Sequence, residues 1–405
     1  MRIAPTAAGI EAWLAAAPNA ERHGDYRALR PERMRAFLAR LPPPPAPCTV
    51  AGTKGKGSTT LFIAAALVAH GIPTTAFYSP HVRSVLERWQ VDGRNADPQT
   101  IARLAERVDE EERASGLRLS WFERTFAIAC LLAAERGGAF VCEVGIGGRL
   151  DATNALDAAV AVLTHISHDH RETLGPTLWH IAGEKLAISR PGRPLVIAPQ
   201  SPAATLAIWH RLPPGRSVHW AVPGPDIPLA MRGAHQRENL GAALLAARLY
   251  RPGIDHARAL SAIASAALPA RGQRVGRVLV DGAHNGPSLA AALAVAAQEF
   301  PDGFTLVFGT GRDKEIDEML AVIPGQLRVV RCGYSSPRAR GPGDWPEAAR
   351  RWPWYQTVRA ALAALPGPLL IAGSFYLAGE ALAALGEQAE EDDLAAQRGA
   401  RVVQQ

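Results

Sequence analysis

Short apolar runs alternate with longer apolar stretches through the first part of the chain. The short runs predict buried strands at residues 48–51, 139–144, 158–166 and 194–197, with another strand ahead of Ser79. The longer stretches predict helices at residues 61–70, 126–135 and 178–188. Because strands that alternate with helices form βαβ units, the pattern favours an α/β fold with a mostly parallel sheet.

The same alternation starts again after residues 269–272. Strands are predicted at residues 278–280, 304–308, 327–330 and 369–371, with helices at 288–297 and 358–365. We therefore expect a first domain over residues 1–275 and a second, smaller α/β domain over residues 276–388. The polar residues 389–405 are expected to form a flexible tail.

A glycine-rich loop, Gly-Thr-Lys-Gly-Lys-Gly-Ser, joins the first predicted strand to the first predicted helix. Glycines let the backbone approach an anion, and the amides at the start of a helix face it. The loop therefore predicts a nucleotide-phosphate site, whereas the alternative is a turn that is glycine-rich without binding anything. The candidate binding residues are Gly52, Thr53, Gly55, Lys56, Gly57, Ser58 and Thr59. Lys56 would reach the terminal phosphates, and Ser58 or Thr59 could ligate Mg²⁺.

The lysines are scarce, because of 44 Lys and Arg residues only Lys54, Lys56, Lys185 and Lys314 are lysines. All four lie in or beside polar segments whose side chains could take part in binding or catalysis. A lysine offers a compact charge and, once deprotonated, a nucleophilic amine, which arginine cannot supply. We therefore expect these positions to have functions, against the alternative of compositional drift.

Three polar residues mark the carboxyl ends of predicted strands: Glu143 lies at the end of one, and His170 and Ser79 lie just beyond two others. Ligands of doubly wound sheets collect at the carboxyl ends of the strands. Oxygen ligands from a hydroxyl and a carboxylate, together with an imidazole, could hold Mg²⁺ between a nucleotide and a substrate. For His170 the alternative is a structural histidine in the core or at a helix cap.

Composition narrows the class of partner. The net charge is +6 and the pI about 9.4, but the arginines are interleaved with acidic residues and form no basic block. This distribution disfavours nucleic acid and fits small anionic substrates. The four cysteines show no C-x-x-C spacing, which fits a reducing cytoplasm. The first residues make a poor signal peptide, and no apolar run is long enough to span a bilayer.

The motifs, taken in order, resemble the Mur ligase superfamily and in particular its folylpolyglutamate and dihydrofolate synthases. The resemblance runs from about residue 25 to 385, and its most specific part is Glu-Val-Gly-Ile-Gly-Gly-Arg-Leu-Asp-Ala-Thr-Asn, which begins at Glu143. The other matching segments are the glycine loop, Tyr78-Ser79-Pro80-His81, Glu87-Arg88, Asp169-His170, Leu174-Gly175, Glu184-Lys185, His235-Gln236 with Asn239, Asp281-Gly282-Ala283-His284-Asn285, Asp313-Lys314 and Gly373-Ser374-Phe375.

The resemblance implies a central P-loop ATPase domain with a mostly parallel sheet, followed by a smaller Rossmann-like domain that serves glutamate ligation. It implies ATP-dependent addition of L-glutamate to folate through an acyl phosphate, and it leaves open dihydropteroate as a second acyl substrate. The implied cofactors are ATP and two Mg²⁺ ions, with a carbamate formed by CO₂ on Lys185. The protein would be a cytoplasmic monomer that binds these small molecules and neither nucleic acid nor membrane.

The resemblance also implies roles for single residues. The implied catalytic residues are Lys56, Lys185, His170 and His284. The implied metal ligands are Ser58, Ser79, Glu143, His170 and Lys185. Asn239, Arg271 and Asp281 join the glycine loop in binding the nucleotide. The implied residues for folate or glutamate are His81, Arg88, Arg149, Asp151 and Ser374, with His284 as a second candidate for glutamate.

Two other functions stay open at this point. One is a ligase of the same fold that joins an amino acid to a different carboxylate, and the other is a P-loop ATPase that does not ligate. Lys54, Ala270, Gly272 and Gly286 depart from the usual motifs of the family. These departures leave the ATPase motifs intact but weaken any assignment of the acyl substrate.

Overall fold

The computed structural model describes residues 2–19 and 30–386. The chain divides into two compact units. The first runs to Leu268 but omits Met231–Gly233, and the second comprises Met231–Gly233 and the residues from Pro269 onward. The predicted tail, residues 389–405, lies outside the described residues.

An eight-stranded sheet forms the centre of the first unit, in the order β4-β3-β2-β5-β1-β6-β7-β8. Going along the sheet from β2 to β8, every neighbouring pair of strands is parallel. The short β3 is antiparallel to both of its neighbours, β2 and β4. The strands are β1 Cys48–Ala51, β2 Thr74–Phe77, β3 Trp89–Val91, β4 Arg94–Asn95, β5 Ala139–Glu143, β6 Val160–Leu163, β7 Pro194–Ile197 and β8 Ser217–Trp220.

Helices cover both faces of this sheet, which is why its central strands are buried throughout instead of alternating between buried and exposed residues. Every residue of β1, β2, β5 and β6 is buried. The α-helices are α1 Ala7–Ala15, α2 Pro31–Leu38, α3 Lys56–Ala69, α4 Pro98–Ser115, α5 Trp121–Arg136, α6 Arg171–Leu174, α7 Leu178–Leu186, α8 Pro202–Arg211, α9 His235–Tyr250 and α10 His256–Ala264.

The second unit contains a six-stranded sheet in the order β13-β12-β11-β14-β10-β9. Only β9 runs antiparallel to its neighbour. Its strands are β9 Gln273–Val275, β10 Val278–Val280, β11 Thr305–Phe308, β12 Arg328–Cys332, β13 Trp354–Tyr355 and β14 Leu369–Ala372. The helices are α11 Gly286–Glu299, α12 Ile316–Ala321, α13 Glu347–Arg350, α14 Val358–Ala364 and α15 over residues 375–386.

The α/β class and the two mostly parallel sheets agree with the sequence prediction. The expected domain boundary at residue 275 differs from the structural division, because β9 forms a hairpin with β10 and so belongs to the second sheet. The predicted helix at 61–70 begins earlier, at Lys56, because the residues that end the glycine loop already wind as helix. The predicted strand at 158–166 is shorter, since only Val160–Leu163 pairs in the sheet.

Across the part of the chain that the structure describes, no helix has both the length and the apolarity needed to cross a membrane. Cys48, Cys130, Cys142 and Cys332 are free and buried. Burial raises the pKa of each thiol, and that of Cys142 reaches about 12. These cysteines therefore act as small packing residues.

Candidate active site

The glycine loop occupies the turn between β1 and α3. Gly55 sits just before the helix in the left-handed conformation, with φ +86°, and no side chain in the described residues caps the helix N-terminus. The long helices α5 and α4, in contrast, carry side-chain caps, Ser120 and Asp97. The amides of the first turn and the positive end of the helix dipole therefore suit an anion such as phosphate.

The loop is tied to the segment that follows β6. The amides of Thr53 and Lys54 both donate to the His165 carbonyl, at 2.9 and 3.2 Å. The Thr53 hydroxyl donates to the Ser167 carbonyl and accepts from its amide. A Cβ on Gly52 would lie 1.8 Å from the Thr164 hydroxyl, so only glycine fits there. These contacts hold the loop in one shape before any ligand binds.

Two lysines converge on one backbone oxygen of this loop. The Nζ atoms of Lys185 and Lys56 both donate to the Gly52 carbonyl, at 2.8 and 3.2 Å. Lys185 is only 4% exposed. Its burial, and then the positive charge of Lys56, lower the pKa of Lys185 to about 7, against an opposing effect of Asp169. Much of Lys185 is therefore a neutral amine at physiological pH.

Glu143 and Ser79 lie at the ends of the neighbouring strands β5 and β2. The Ser79 amide donates to Glu143 Oε2 at 3.0 Å, and both side chains are buried. The Ser79 hydroxyl has no hydrogen-bond partner among the described residues. A buried oxygen without a partner beside a carboxylate fits the ligand set of Mg²⁺. No cluster of three or more His, Cys, Asp or Glu side chains that could hold a metal occurs within residues 2–19 and 30–386.

His170 lies on the turn before α6 in a left-handed conformation, with φ +50°. Its Nε2 is 3.9 Å from Asp169 Oδ1, and the other oxygen of Asp169 is 3.7 Å from Lys54 Nζ. Asp169 therefore links the histidine to the glycine loop. Lys54 departs from the family motif, and this contact gives it a role in holding Asp169.

His81 and Arg88 form a pair beside the ring of Trp121. Arg88 Nε donates to His81 Nδ1 at 2.9 Å, and the guanidinium lies 4.4 Å from the Trp121 ring centre. Burial and the adjacent Arg88 charge lower the pKa of His81 to about 3, so the imidazole stays neutral. Arg88 is itself buried, and it fixes both the orientation and the charge state of His81.

Asp151 and Arg149 differ in exposure although both were assigned to substrate. The Asp151 carboxylate is buried and accepts bonds from the Ile146 amide and from the amide and hydroxyl of Thr153. Burial raises the pKa of Asp151, and these hydrogen bonds oppose the rise. The geometry favours a loop-shaping role for Asp151. Arg149 is exposed and pairs with Glu184 at 2.8 Å.

In the second unit, Asp281 at the end of β10 organises the turn at residues 270–272. Its Oδ2 accepts from the Gly272 amide and its Oδ1 from the Ala283 amide, both at 2.8 Å. Ala270 and Gly272 both have positive φ values, of +53° and +59°. The Asp281 carboxylate therefore stabilises a strained turn that contains two of the departures from the family motif, Ala270 and Gly272.

Arg271 and His284 both contact the ring of Phe375. The Arg271 guanidinium lies 4.7 Å from the ring centre, and the two aromatic rings are 5.4 Å apart. A Cβ on Gly282 would come within 2.3 Å of the Phe375 ring, which explains the glycine. The loops after β10 and β14 thus bring these predicted residues together at one edge of the second sheet.

Ser374 contacts Tyr334 and Tyr376, two residues that no sequence motif singles out. Its buried hydroxyl bonds the phenol of Tyr334 and accepts from the Tyr376 amide. The rings of Tyr334 and Tyr376 stack 6.3 Å apart. Asp313 next to them pairs with Arg338 at 3.0 Å and with Lys314 at 3.6 Å. No motif marks the two tyrosines, since their pairing depends on how loops after different strands meet.

Asn239 on α9 lies against the glycine loop. A Cβ on Gly55 would be 2.1 Å from Asn239 Oδ1, and Asn239 Nδ2 donates to Gln236 Oε1 at 2.9 Å. The structure therefore brings Asn239 to the loop with which the sequence grouped it. Ser58 and Thr59 are both buried in the first turn of α3, and the Thr59 hydroxyl has no partner within the described residues.

Gly55→Ala should damage the loop twice. The left-handed φ strains any residue with a Cβ by roughly 1–2 kcal/mol, and the new methyl also displaces Asn239. We expect a lower melting temperature and nucleotide binding about tenfold weaker, measured by thermal unfolding and by nucleotide titration. Gly71→Ala is the matched control, because Gly71 has φ +70° and open space around it. Equal effects of the two variants on nucleotide binding would contradict the prediction.

No protein-family model matches the chain. A dihydrofolate synthase/folylpolyglutamate synthase of Escherichia coli is 33% identical over 360 residues, which cover 83% of each protein. A probable bifunctional folylpolyglutamate synthase/dihydropteroate synthase of Haloferax volcanii is 31% identical over 379 residues. That alignment covers 82% of this chain but 45% of the relative, so the chain spans about half the length of the archaeal protein.

Solved structures resemble the whole chain. The Mycobacterium tuberculosis folylpolyglutamate synthase complexed with ADP has a TM-score of 0.82 at 26% identity, covering 94% of this chain and 98% of that one. E. coli FolC in complex with DHPP and ADP has a TM-score of 0.81 at 26% identity and the same coverage. A bifunctional synthase from Yersinia pestis, complexed with AMPPNP and Mn ion, has a TM-score of 0.79 at 25% identity and covers 93% and 98%.

Proposed function

The chain belongs to the family of folylpolyglutamate and dihydrofolate synthases, and we propose that it is an ATP-dependent ligase that adds L-glutamate to folate. The observation that carries this proposal is the glycine loop with its uncapped helix and two lysines on the Gly52 carbonyl. Such a loop binds the phosphates of a nucleotide and places an ammonium beside the phosphoryl group that is transferred.

Activation of the acyl carboxylate is the first chemical step. One carboxylate oxygen of folate attacks the γ-phosphorus of ATP, which yields an acyl phosphate and ADP. Lys56 neutralises the charge that develops on the transferred phosphoryl group. A divalent cation, when bound, would polarise the phosphate oxygens. Ser79 and Glu143 would hold it, with Ser58 and His170 as further ligands.

Lys185 would complete a second cation site as a carbamate. Carbamate formation joins the neutral Lys185 amine to the carbon of CO₂ and releases the amine proton, which leaves a carboxylate on Nζ. The buried position of Lys185 and its pKa of about 7 favour the neutral amine that this reaction needs. The scarcity of lysine in this sequence supports the carbamate further, because a lysine is kept here where arginine could not form it.

Amide formation is the second step. The α-amine of glutamate attacks the acyl carbon, the C–O bond to phosphate breaks, and a proton leaves the nitrogen. We assign the glutamate to the second unit, at the Ser374 hydroxyl, with His284 as the other polar group. Burial raises the pKa of the phenol of Tyr334, the partner of Ser374, and Arg338 lies close enough to oppose this rise. The positive charge of Arg338 suits an amino acid with two carboxylates.

We assign the folate-binding residues to the first unit. His81, Arg88 and Arg149 would contact the folate, and Asp151 would shape the loop that lines it. In the nucleotide site, Asn239, Arg271 and Asp281 would act with the glycine loop. The division of labour between residues 1–275 and 276–388, a monomeric state and a cytoplasmic location belong to the same proposal. Dihydropteroate is its second candidate acyl substrate.

The test is a mass assay with ATP, Mg²⁺, L-glutamate and tetrahydrofolate. The proposal expects products heavier by one or more glutamate residues and phosphate release that needs both the folate and glutamate. Dihydropteroate replaces tetrahydrofolate in a parallel reaction and reports the dihydrofolate synthase activity. Ligation of glutamate to neither acid, with ligation to another carboxylate, would favour a ligase with a different substrate. A rate of phosphate release that is the same with and without the acyl acid and glutamate would favour an ATPase that does not ligate.

A further inference from the structure

The Tyr78 hydroxyl is buried in the first unit with no hydrogen-bond partner among the described residues. Tyr78 directly precedes Ser79 and is only 4% exposed. Buried hydroxyls are nearly always satisfied, because an unpaired one keeps the full cost of its lost hydration. A partner that belongs to neither the backbone nor the side chains around it would satisfy this hydroxyl.

The strand register places Tyr78 beside Glu143. In the parallel pair β2–β5, Phe77 lies opposite Cys142, and Tyr78 and Glu143 are the residues that follow them in sequence. Paired residues of neighbouring strands project to the same face of a sheet, and successive residues alternate. Phe77 packs on Phe122 and Phe126 of α5.

It follows that Tyr78 and Glu143 project to the opposite face, where α3 follows the glycine loop and packs against β2 and β5. The negative charge of Glu143 reaches the phenol, since it adds to the effect of burial in raising the pKa of Tyr78. The Ser79 hydroxyl, which also lacks a partner within the described residues, lies next to the same carboxylate.

We propose that the Tyr78 hydroxyl binds an oxygen on the divalent cation of the nucleotide site, either a cation-bound water or a phosphate oxygen. Mg²⁺ keeps several waters when proteins bind it, and those waters need hydrogen-bond partners in a buried site. Tyr78 would be a positioning residue, since it touches the coordination shell and not the metal. This inference rests on the proposed function, because it needs a cation at Ser79 and Glu143.

The test compares Tyr78→Phe with Thr75→Val in the full-length protein. Thr75 lies on the same strand and is also buried with a hydroxyl that lacks a partner among the described residues, so it is a matched control. Without ligand, both variants should unfold at or above the wild-type temperature, because each loses an unpaired buried hydroxyl. Tyr78→Phe alone should bind Mn²⁺ about five- to tenfold more weakly, the effect of one lost hydrogen bond.

Mn²⁺ binding is measured by the electron paramagnetic resonance of the free ion, with and without AMPPNP. A loss in both conditions identifies a cation-bound water, and a loss only with AMPPNP identifies a phosphate oxygen. Wild-type affinity of Tyr78→Phe in both conditions would overturn the inference, as would a lower unfolding temperature of the ligand-free variant. Wild-type protein that binds no Mn²⁺ with AMPPNP would instead overturn the proposed metal site itself.

Discussion

Lys185→Ala should abolish ligation, and short carboxylic acids should restore part of it. The variant loses the carbamate that the proposed second cation site needs, so we expect activity to fall roughly 1000-fold, as when a group that stabilises transition-state charge is removed. Acetate or propionate can enter the space left by the side chain and supply the missing carboxylate. The measurement is the rate of glutamate addition with increasing acid concentration.

Lys185→Arg provides the control for size and charge. Its guanidinium keeps a positive charge near the Gly52 carbonyl but cannot react with CO₂. We expect it to be as inactive as Lys185→Ala and to resist rescue, since its side chain still fills the space. Full activity of Lys185→Arg would remove the carbamate from the mechanism.

The pKa of Lys185 gives the same prediction a pH dependence. With a pKa of about 7, roughly half of the Lys185 amines are neutral at pH 7, against fewer than about one in a thousand for a solvated lysine. After removal of CO₂, reactivation at a fixed concentration of dissolved CO₂ should therefore quicken from pH 6 to pH 8 and then level off. A rate that keeps rising tenfold per pH unit up to pH 10 would show an ordinary lysine.

The glycine loop and the importance of Lys185 could be predicted because their signals in the sequence are local. The glycine loop, the strand before it and the helix after it are contiguous, and their order alone indicates a phosphate site. Lys185 could be singled out because lysine is so rare in this sequence that each of the four could be judged by its own neighbours. The buried strand at 194–197 was predicted with its observed bounds for the same reason, since a short apolar run between polar residues is a local pattern.

The rest depends on register and on loops that meet from distant parts of the chain. That Lys185 bonds the Gly52 carbonyl could not be read from the sequence, because the two residues are joined only by the order of strands in the sheet. The stack of Arg88 on Trp121 and the tyrosine pair beside Ser374 are contacts of the same kind. The sequence also assigned Asp151 to substrate without any sign that its carboxylate bonds its own loop.

Lys56→Met should reduce kcat roughly 100- to 1000-fold and also change the chemistry of Lys185. The direct loss arises because the Lys56 ammonium no longer neutralises the phosphoryl group during transfer. The indirect loss arises because the charge of Lys56 helps to lower the pKa of Lys185, so without it this pKa rises. Less neutral amine is then present at pH 7, and reactivation at a fixed concentration of dissolved CO₂ should shift to higher pH.

Lys56→Arg separates the two effects, since it keeps the charge near Lys185 but loses the compact ammonium. We expect it to lose kcat while keeping the wild-type pH profile of reactivation, whereas Arg248→Met, which removes an exposed charge on α9, should change neither. Because both lysines act on one phosphoryl transfer, Lys56→Met combined with Lys185→Ala should be little slower than Lys185→Ala alone. Fully additive losses, or wild-type kcat in Lys56→Met, would contradict this prediction. The two lysines would then share the Gly52 carbonyl as a hydrogen-bond acceptor without acting together in catalysis.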